Sequence, residues 1–483
     1  MKCENSYARL SDIFYHKNSP TPVKNPKLFL WNQKLAEQLQ IPLELTQNPV
    51  ALAQIFSGNK LLSGFEPLSI AYAGHQFGQF VPQLGDGRAH LLGESLDKSS
   101  KKWDIQLKGS GRSAFSRNGD GRCAIGPAIR EYIMSEAMYA LKIPTTRSLS
   151  VVSTGETVYR ETPLPGAIIT RIASSHLRVG TFQYFAAKSN TQAIKILCDL
   201  AIQRHYPNCR HSEDPYIMLL DNIIEKQIKL IVQWLRVGFI HGVMNTDNMA
   251  ISGETIDYGP CAMMGIYNPK AVYSSIDTQG RYAFMQQPQI AQWNIARLAE
   301  CLFPLIDSDQ NKAIDKLFPL IQNFSDHFDI AYVDMMAKKI GIKTIESGDK
   351  NLITSLLDTL KTQELDYTIS FNKLTQSLNS SKNSNDQLGA LKEWAYTWKQ
   401  RLQRQGVSNQ ETQKLMAKHN PIVIPRNHHM EAVLKECQQT NTPIAAKEFL
   451  QVLKSPYQLL SQTSKYQDQA KDGDKFYQTF CGT

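Results

Sequence analysis

The stretch His241-Gly242-Val243-Met244-Asn245-Thr246-Asp247-Asn248, followed by Asp257-Tyr258-Gly259, carries the residues of this chain best suited to chemistry. An asparagine and an aspartate supplied by successive loops can hold a magnesium ion between them, because that ion takes oxygen ligands. Asn248 and Asp257 are therefore the candidate metal-binding residues. Manganese would accept the same oxygens. Asp247, beside Asn248, is the only carboxylate in the octet.

Upstream lies Gln83-Leu84-Gly85-Asp86-Gly87-Arg88-Ala89-His90-Leu91. Gly85 and Gly87, one residue apart in a strand–turn–strand setting, let the backbone approach phosphates closely. A tight hairpin turn is the ordinary alternative. Lys108 ends the next strand; alone it would read as a surface lysine. The helix opening at Gly126-Pro127 puts Glu131, Met134, Met138 and Leu141 on one face, at i, i+3, i+7 and i+10. A carboxylate on an apolar face needs a cation, and Lys108 is the natural partner. Against this, acids are favoured in a first helical turn by the helix dipole alone. Between Lys108 and that helix runs Gly109-Ser110-Gly111-Arg112-Ser113-Ala114-Phe115-Ser116-Arg117-Asn118-Gly119-Asp120-Gly121-Arg122. Its glycines and arginines suit a phosphate-wrapping loop, without the G-K-[S/T] ending of a P-loop.

The octet agrees with the kinase catalytic loop H-R-D-L-x-x-x-N at its first histidine and last asparagine, and Asp257-Tyr258-Gly259 with D-F-G. Behind a glycine turn, a strand lysine and a helix glutamate, that order is specific. One position departs. Val243 stands where a kinase has its catalytic aspartate, and valine accepts no proton. A positioned base contributes about 10²–10⁴-fold, so ordinary phosphoryl transfer to a hydroxyl should be impaired.

These residues together resemble the selenoprotein O family, kinase-like protein adenylyltransferases. The resemblance runs from Tyr72-Ala73-Gly74-His75-Gln76-Phe77-Gly78 through the glycine turn, residues 107–126 and residues 241–260. It continues in Asn420-Pro421-Ile422-Val423-Ile424-Pro425-Arg426-Asn427-His428. It implies a fold that binds ATP inverted relative to kinases, passing AMP to Ser, Thr or Tyr hydroxyls of proteins with Mg²⁺ or Mn²⁺. By motif position it implies nucleotide contacts from Gly85, Gly87, Arg88, Lys108, Asp120, Gly121, Arg171, Arg178 and Asp257. It implies metal binding by Asn248 and Asp257, proton acceptance by Asp247, and orientation of Lys108 by Glu131. A redox role is implied for Cys481, third from the end, where some members carry selenocysteine. Related bacterial members imply a disulfide to the segment after the D-F-G-like motif. Cys261 is the nearest candidate, and Tyr273 occupies a later stretch where a cysteine is expected. Two other readings stay open: a phosphoryl-transferring kinase using Asp247 as a displaced base, and a non-catalytic ATP-binding pseudokinase scaffold. Use of UTP is also open.

These residues need elements to position them. The glycine-rich, β-patterned stretch lies at about 66–180, with strands such as 90–94 and 103–108. A helical pattern is expected around 28–39. Another covers 217–237, a long buried helix stopped by Gly238. From about 190 the chain reads as mostly helical, with a linker-like tract at 377–386. The expected fold class is α+β, a bilobal protein-kinase-like fold with N-terminal and helical C-terminal extensions. Its expected parts are 1–65, an N-lobe at 66–185, a C-lobe at 186–330 and a helical extension at 331–483.

At 483 residues the chain can bury a full core without disulfide or metal staples. Its net charge of +9, from 53 basic and 44 acidic residues, suits an anionic ligand such as a nucleotide. The charge is too dispersed to point to nucleic acid. No membrane-spanning run is present at a mean hydropathy of −0.34, and no secretory signal is seen, so a cytoplasmic location is expected. The eight scattered cysteines form no Cys-x-x-Cys pair and read as free thiols.

Overall fold

The computed structural model describes residues 3–378 and 386–480. Cys481 and most of the 377–386 tract therefore lie outside the described residues. The architecture is mixed, an antiparallel sheet followed by helices. The sheet contains β1 (Cys3–Glu4), β2 (Tyr15–Lys17), β3 (Lys27–Trp31), β4 (Leu68–Ile70), β5 (Ala89–Leu96), β6 (Lys102–Lys108), β7 (Cys123–Ala124), β8 (Arg147–Tyr159) and β9 (Pro163–Ala173). Its spatial order is β2-β4-β5-β6-β9-β8-β3, with β1 on β5 and β7 on β9.

The helix expected at 28–39 is instead a strand and a short helix. Leu28 and Leu30 alternate with period two and pair with Val152 and Val151 of β8. The chain then turns at Asn32, whose side chain caps Gln33–Gln38 by accepting from the Leu35 amide at 3.2 Å.

Alternation in β6 sends its residues to two faces. Ile105 and Leu107 enter an apolar core with Leu92, Ile168 and Ile172, covered by Leu52, Ile55 and Phe56 of the N-terminal segment. Gln106 and Lys108 therefore take the opposite face. That face is covered by α1 (Ile125–Ala140), which buries Ile129, Ile133, Met134 and Met138. The helix begins two residues earlier than its Gly126-Pro127 signal suggests. Proline is tolerated there because the first four helical amides have no intrahelical acceptor.

Beyond the sheet come α2 (Val179–Ala186) and α3 (Pro215–Val237), the second ending where Gly238 adopts φ +78°. Phe239–Ile240 then pairs with Ala262–Met263, so a short hairpin pins both ends of the loop holding the octet and Asp257. Farther on, α4 (Gln287–Ile306), α5 (Asn427–Thr440) and α6 (Ile444–Leu453) belong to the helical part; α5 and α6 pack on α1. Among the described residues no helix is long and apolar enough to cross a membrane.

Candidate active site

The register of the sheet sets the charged cluster. Lys108 faces Ala89 on one side and Ile169 on the other, and Arg171 lies opposite Gln106. Lys108 and Arg171 consequently share the face toward α1. There Glu131 accepts from Lys108 Nζ at 2.8 Å through Oε2, and from Arg171 Nε at 2.8 Å and Nη2 at 2.5 Å through Oε1. Burial alone would raise the Glu131 pKa, but Arg171 and Lys108 outweigh it and hold the carboxyl below its usual range. A charge buried this deeply is tolerable only because both oxygens are paired.

Lys108 also pairs with Asp257, and Arg171 Nη2 lies 3.5 Å from the same carboxylate. Burial again opposes ionisation, yet Lys108, Arg171 and Arg88 hold Asp257 well below the ordinary carboxylate range. Its backbone sits at φ +66°, a left-handed conformation that costs a non-glycine residue about 1–2 kcal/mol. The surrounding pairs keep it there. Arg88 makes no ion pair among the described residues and lines the same space.

The octet is fixed from several directions. Gln287 accepts from the His241 amide at 3.0 Å and donates to Phe239 O at 3.0 Å. The His241 ring is 2.9 Å from Ile256 O, joining the octet to the residue before Asp257. Arg178 lies over the Tyr72 ring and donates to Asp247 O at 3.2 Å. Its Nη2 is 3.7 Å from Asp86, which also accepts from Ile70 N and Gln106 Nε2. Asn248 Nδ2 donates to Val243 O at 3.0 Å, which directs its amide nitrogen inward and leaves Oδ1 unused.

Asp247 differs from its neighbours. Its Oδ1 is shielded from solvent and has no hydrogen-bond partner. Burial, only partly opposed by Arg178, pushes its pKa up to about 6. A carboxylate tuned in this way is suited to taking a proton near neutral pH.

These groups meet in a cavity of about 700 Å³, within the usual range for a small-molecule site. Arg88, Lys108, Glu131, Asp247, Asn248 and Asp257 all line it. Arg171 and Arg178 stand just behind, buried against Glu131 and Asp247. Gly85, at φ +72°, and Gly87 lie under Phe115, which leaves no room for a Cβ at either. Asp120 is half-exposed and pairs with Arg160 at 2.8 Å; Gly121 packs on Gly111.

The spacing arguments missed Arg130, Glu431, Tyr477 and Phe480, which also line the cavity. Arg130 is on α1 beside Glu131 and pairs with Glu431 of α5. Tyr477 donates to Glu431 at 2.7 Å. The Thr479 amide donates to Tyr273 O at 2.7 Å, and its hydroxyl to Pro260 O at 2.7 Å. The position where a cysteine was expected, Tyr273, thus anchors the C-terminal segment by its backbone and by a ring contact with Tyr477. Cys261 is buried and unpaired, as are the other described cysteines apart from the partly exposed Cys3, also unpaired.

A family model described as protein adenylyltransferase SelO matches residues 1–454. Among curated proteins, the protein nucleotidyltransferase YdiU of Teredinibacter turnerae is 52% identical over 485 residues, covering 100% of both chains. The protein of the same name from Anoxybacillus flavithermus is 49% identical, covering 99% of this chain and 98% of its own. That from Bradyrhizobium diazoefficiens is 48% identical over 99% of each.

Proposed function

The chain belongs to the protein adenylyltransferase SelO family and is a nucleotidyltransferase, and on that premise we propose how its cavity carries out the transfer. ATP binds inverted relative to kinases, with the α-phosphate toward Asp247. A Ser, Thr or Tyr hydroxyl of a protein attacks the α-phosphorus. Its oxygen forms the new P–O bond as the bond to the β-phosphate breaks, and pyrophosphate leaves. The hydroxyl proton passes to Asp247 Oδ1. The observation that carries this reading is the pairing of Val243 with Asp247. The kinase base position is inert, while four residues on lies a buried carboxylate with a raised pKa whose Oδ1 has no hydrogen-bond partner.

Lys108, Arg171 and Arg88 supply positive charge to the phosphates, and Glu131 holds Lys108 and Arg171 in place. Asp257 and the unused Oδ1 of Asn248 are hard oxygen donors at the cavity, as Mg²⁺ or Mn²⁺ requires. Such an ion, when bound, neutralises phosphate charge. Gly85 and Gly87 keep the turn low beneath Phe115, and Arg178 sets the depth of Asp247. Asp120 and Gly121 would complete the nucleotide site from the glycine-rich loop.

We also assign residues 66–185 and 186–330 to the two lobes of a kinase-like fold, with 1–65 and 331–483 as extensions. The strand lysine, helix glutamate and hairpin-held loops support that division. Cys481 is retained as a redox candidate on the resemblance alone.

Labelling with ATP carrying the tracer at either the α- or the γ-phosphate tests the reading, with Asp257→Ala as the blank. Label from α alone, lost with a chelator, is expected. Label from γ alone would restore the kinase.

A further inference from the structure

We propose that His428, His429 and Asp468 form a divalent-metal site of the zinc class, which clamps the C-terminal segment onto the start of α5. One candidate ligand atom from each lies within 4.8 Å of the others. The two histidines are the second and third residues of α5, and their rings lie 4.0 Å apart. Asp468 arrives from a distant part of the chain and offers one oxygen to each. Its Oδ1 is 2.7 Å from His429 Nε2, and its Oδ2 is 3.8 Å from His428 Nε2.

A plain ion pair would account for His429 but not for His428. Both ring nitrogens of His428 are shielded from solvent and have no hydrogen-bond partner. Leaving a buried polar group unsatisfied is costly, because it loses its bonds to water and gains none in return. Coordination through Nε2 would use one of these nitrogens. A tetrahedral ion with bonds of about 2.0–2.2 Å sets its donors roughly 3.4 Å apart, and one donor atom from each of the three residues already lies within 4.8 Å of the others. Coordination through His429 Nε2 would replace its hydrogen bond to Asp468 and leave the ring hydrogen on Nδ1. Two imidazoles and a carboxylate suit Zn²⁺ rather than Mg²⁺ or Ca²⁺. Asp468, 64% exposed, leaves a fourth position open to water.

The placement has a consequence for the cavity. Farther along α5, Glu431, Leu434 and Gln438 line it, and Tyr477 and Phe480 reach it a short distance beyond Asp468. A metal at Asp468 would fix where that segment starts.

The test uses the full-length chain without a polyhistidine tag, carrying Asp257→Ala so that the nucleotide cavity does not compete for metal. After stripping with a chelator, Zn²⁺ is titrated calorimetrically and Co²⁺ spectroscopically. One ion per chain, a tetrahedral cobalt spectrum and a rise in Tm with Zn²⁺ are expected. His428→Ala and Asp468→Asn should each weaken binding about tenfold or more. Asp468 is at the surface, so its variant stays informative should His428→Ala fail to fold. No Zn²⁺ binding, or equal affinity in Asp468→Asn, would overturn the site.

Discussion

Gly74 presents its bare Cα to the side chain of Asp247: a Cβ there would lie 2.9 Å from Asp247 Oδ1 and 3.1 Å from its Cβ. Gly74 begins the Gly74–Gln76 strand, held to the octet where Thr246 Oγ1 accepts from the His75 amide at 2.7 Å. The glycine therefore leaves the space in which the carboxylate stands. Gly74→Ala should displace Asp247 and lower the rate of adenylylation about ten- to hundredfold, since small misplacements of a reacting group are costly. Steady-state kinetics with unchanged nucleotide affinity would show it; an unchanged kcat would mean that the Asp247 carboxylate yields to the added methyl without leaving its working position.

Asp247→Asn keeps the shape and removes the proposed base. The kcat should fall about 10²–10⁴-fold while ATP still binds. An active Asp247→Asn protein would point to another proton acceptor.

The same group predicts a pH dependence. With its pKa pushed up to about 6, Asp247 is protonated in acid and free to act as a base above that. The kcat/KM should rise through about pH 6 and then level off. Stability runs the other way. A carboxyl whose folded pKa is raised contributes stability at low pH that is lost as pH rises through the folded value. The penalty accumulates between about pH 4 and 6, reaching at most about 3 kcal/mol. Asp247→Asn should therefore melt above the parent at pH 8, and the gap should close as the pH falls toward 4.

Glu131→Gln removes the charge shared by Lys108 and Arg171. Breaking one side of a buried ionic cluster costs about 3–5 kcal/mol, so a clear drop in Tm is expected. A raised KM for ATP should accompany it, because Lys108 loses the carboxylate that opposes its pull toward Asp257. Retained Tm and KM would mean that Arg171 and Lys108 are held by other contacts.

Arg426 and Asn427, in the C-terminal motif, have architectural work. Arg426 donates to Asp366 at 2.7 and 3.1 Å with both side chains buried. Asn427 bonds both the amide and the carbonyl of Met263, in the hairpin that closes the loop carrying Asp257. Arg426→Ala should lower stability by about 3–5 kcal/mol. Equal chemical-denaturation midpoints for variant and parent would argue against that role.

Local chemistry and order along the chain were legible in the sequence. The octet, Asp257, Lys108 at a strand end, Glu131 on the next helix and the stop at Gly238 each follow from side-chain type and short-range periodicity. The family follows from their order. What the tertiary structure decided depends on residues far apart in the chain. Arg171 shares Glu131 with Lys108 because antiparallel register sets it opposite Gln106. Arg130, Glu431 and Tyr477 meet because α5 packs across α1, and Asp468 meets His428 and His429 when a later segment folds back. The pattern at 28–39 misled for a related reason: Leu28 and Leu30 became strand residues by pairing with β8, a partner that local periodicity does not contain. Periodicity reports which face of an element is apolar. Which charged groups share a face is set by strand register and helix packing, where burial requires each charge to find a partner.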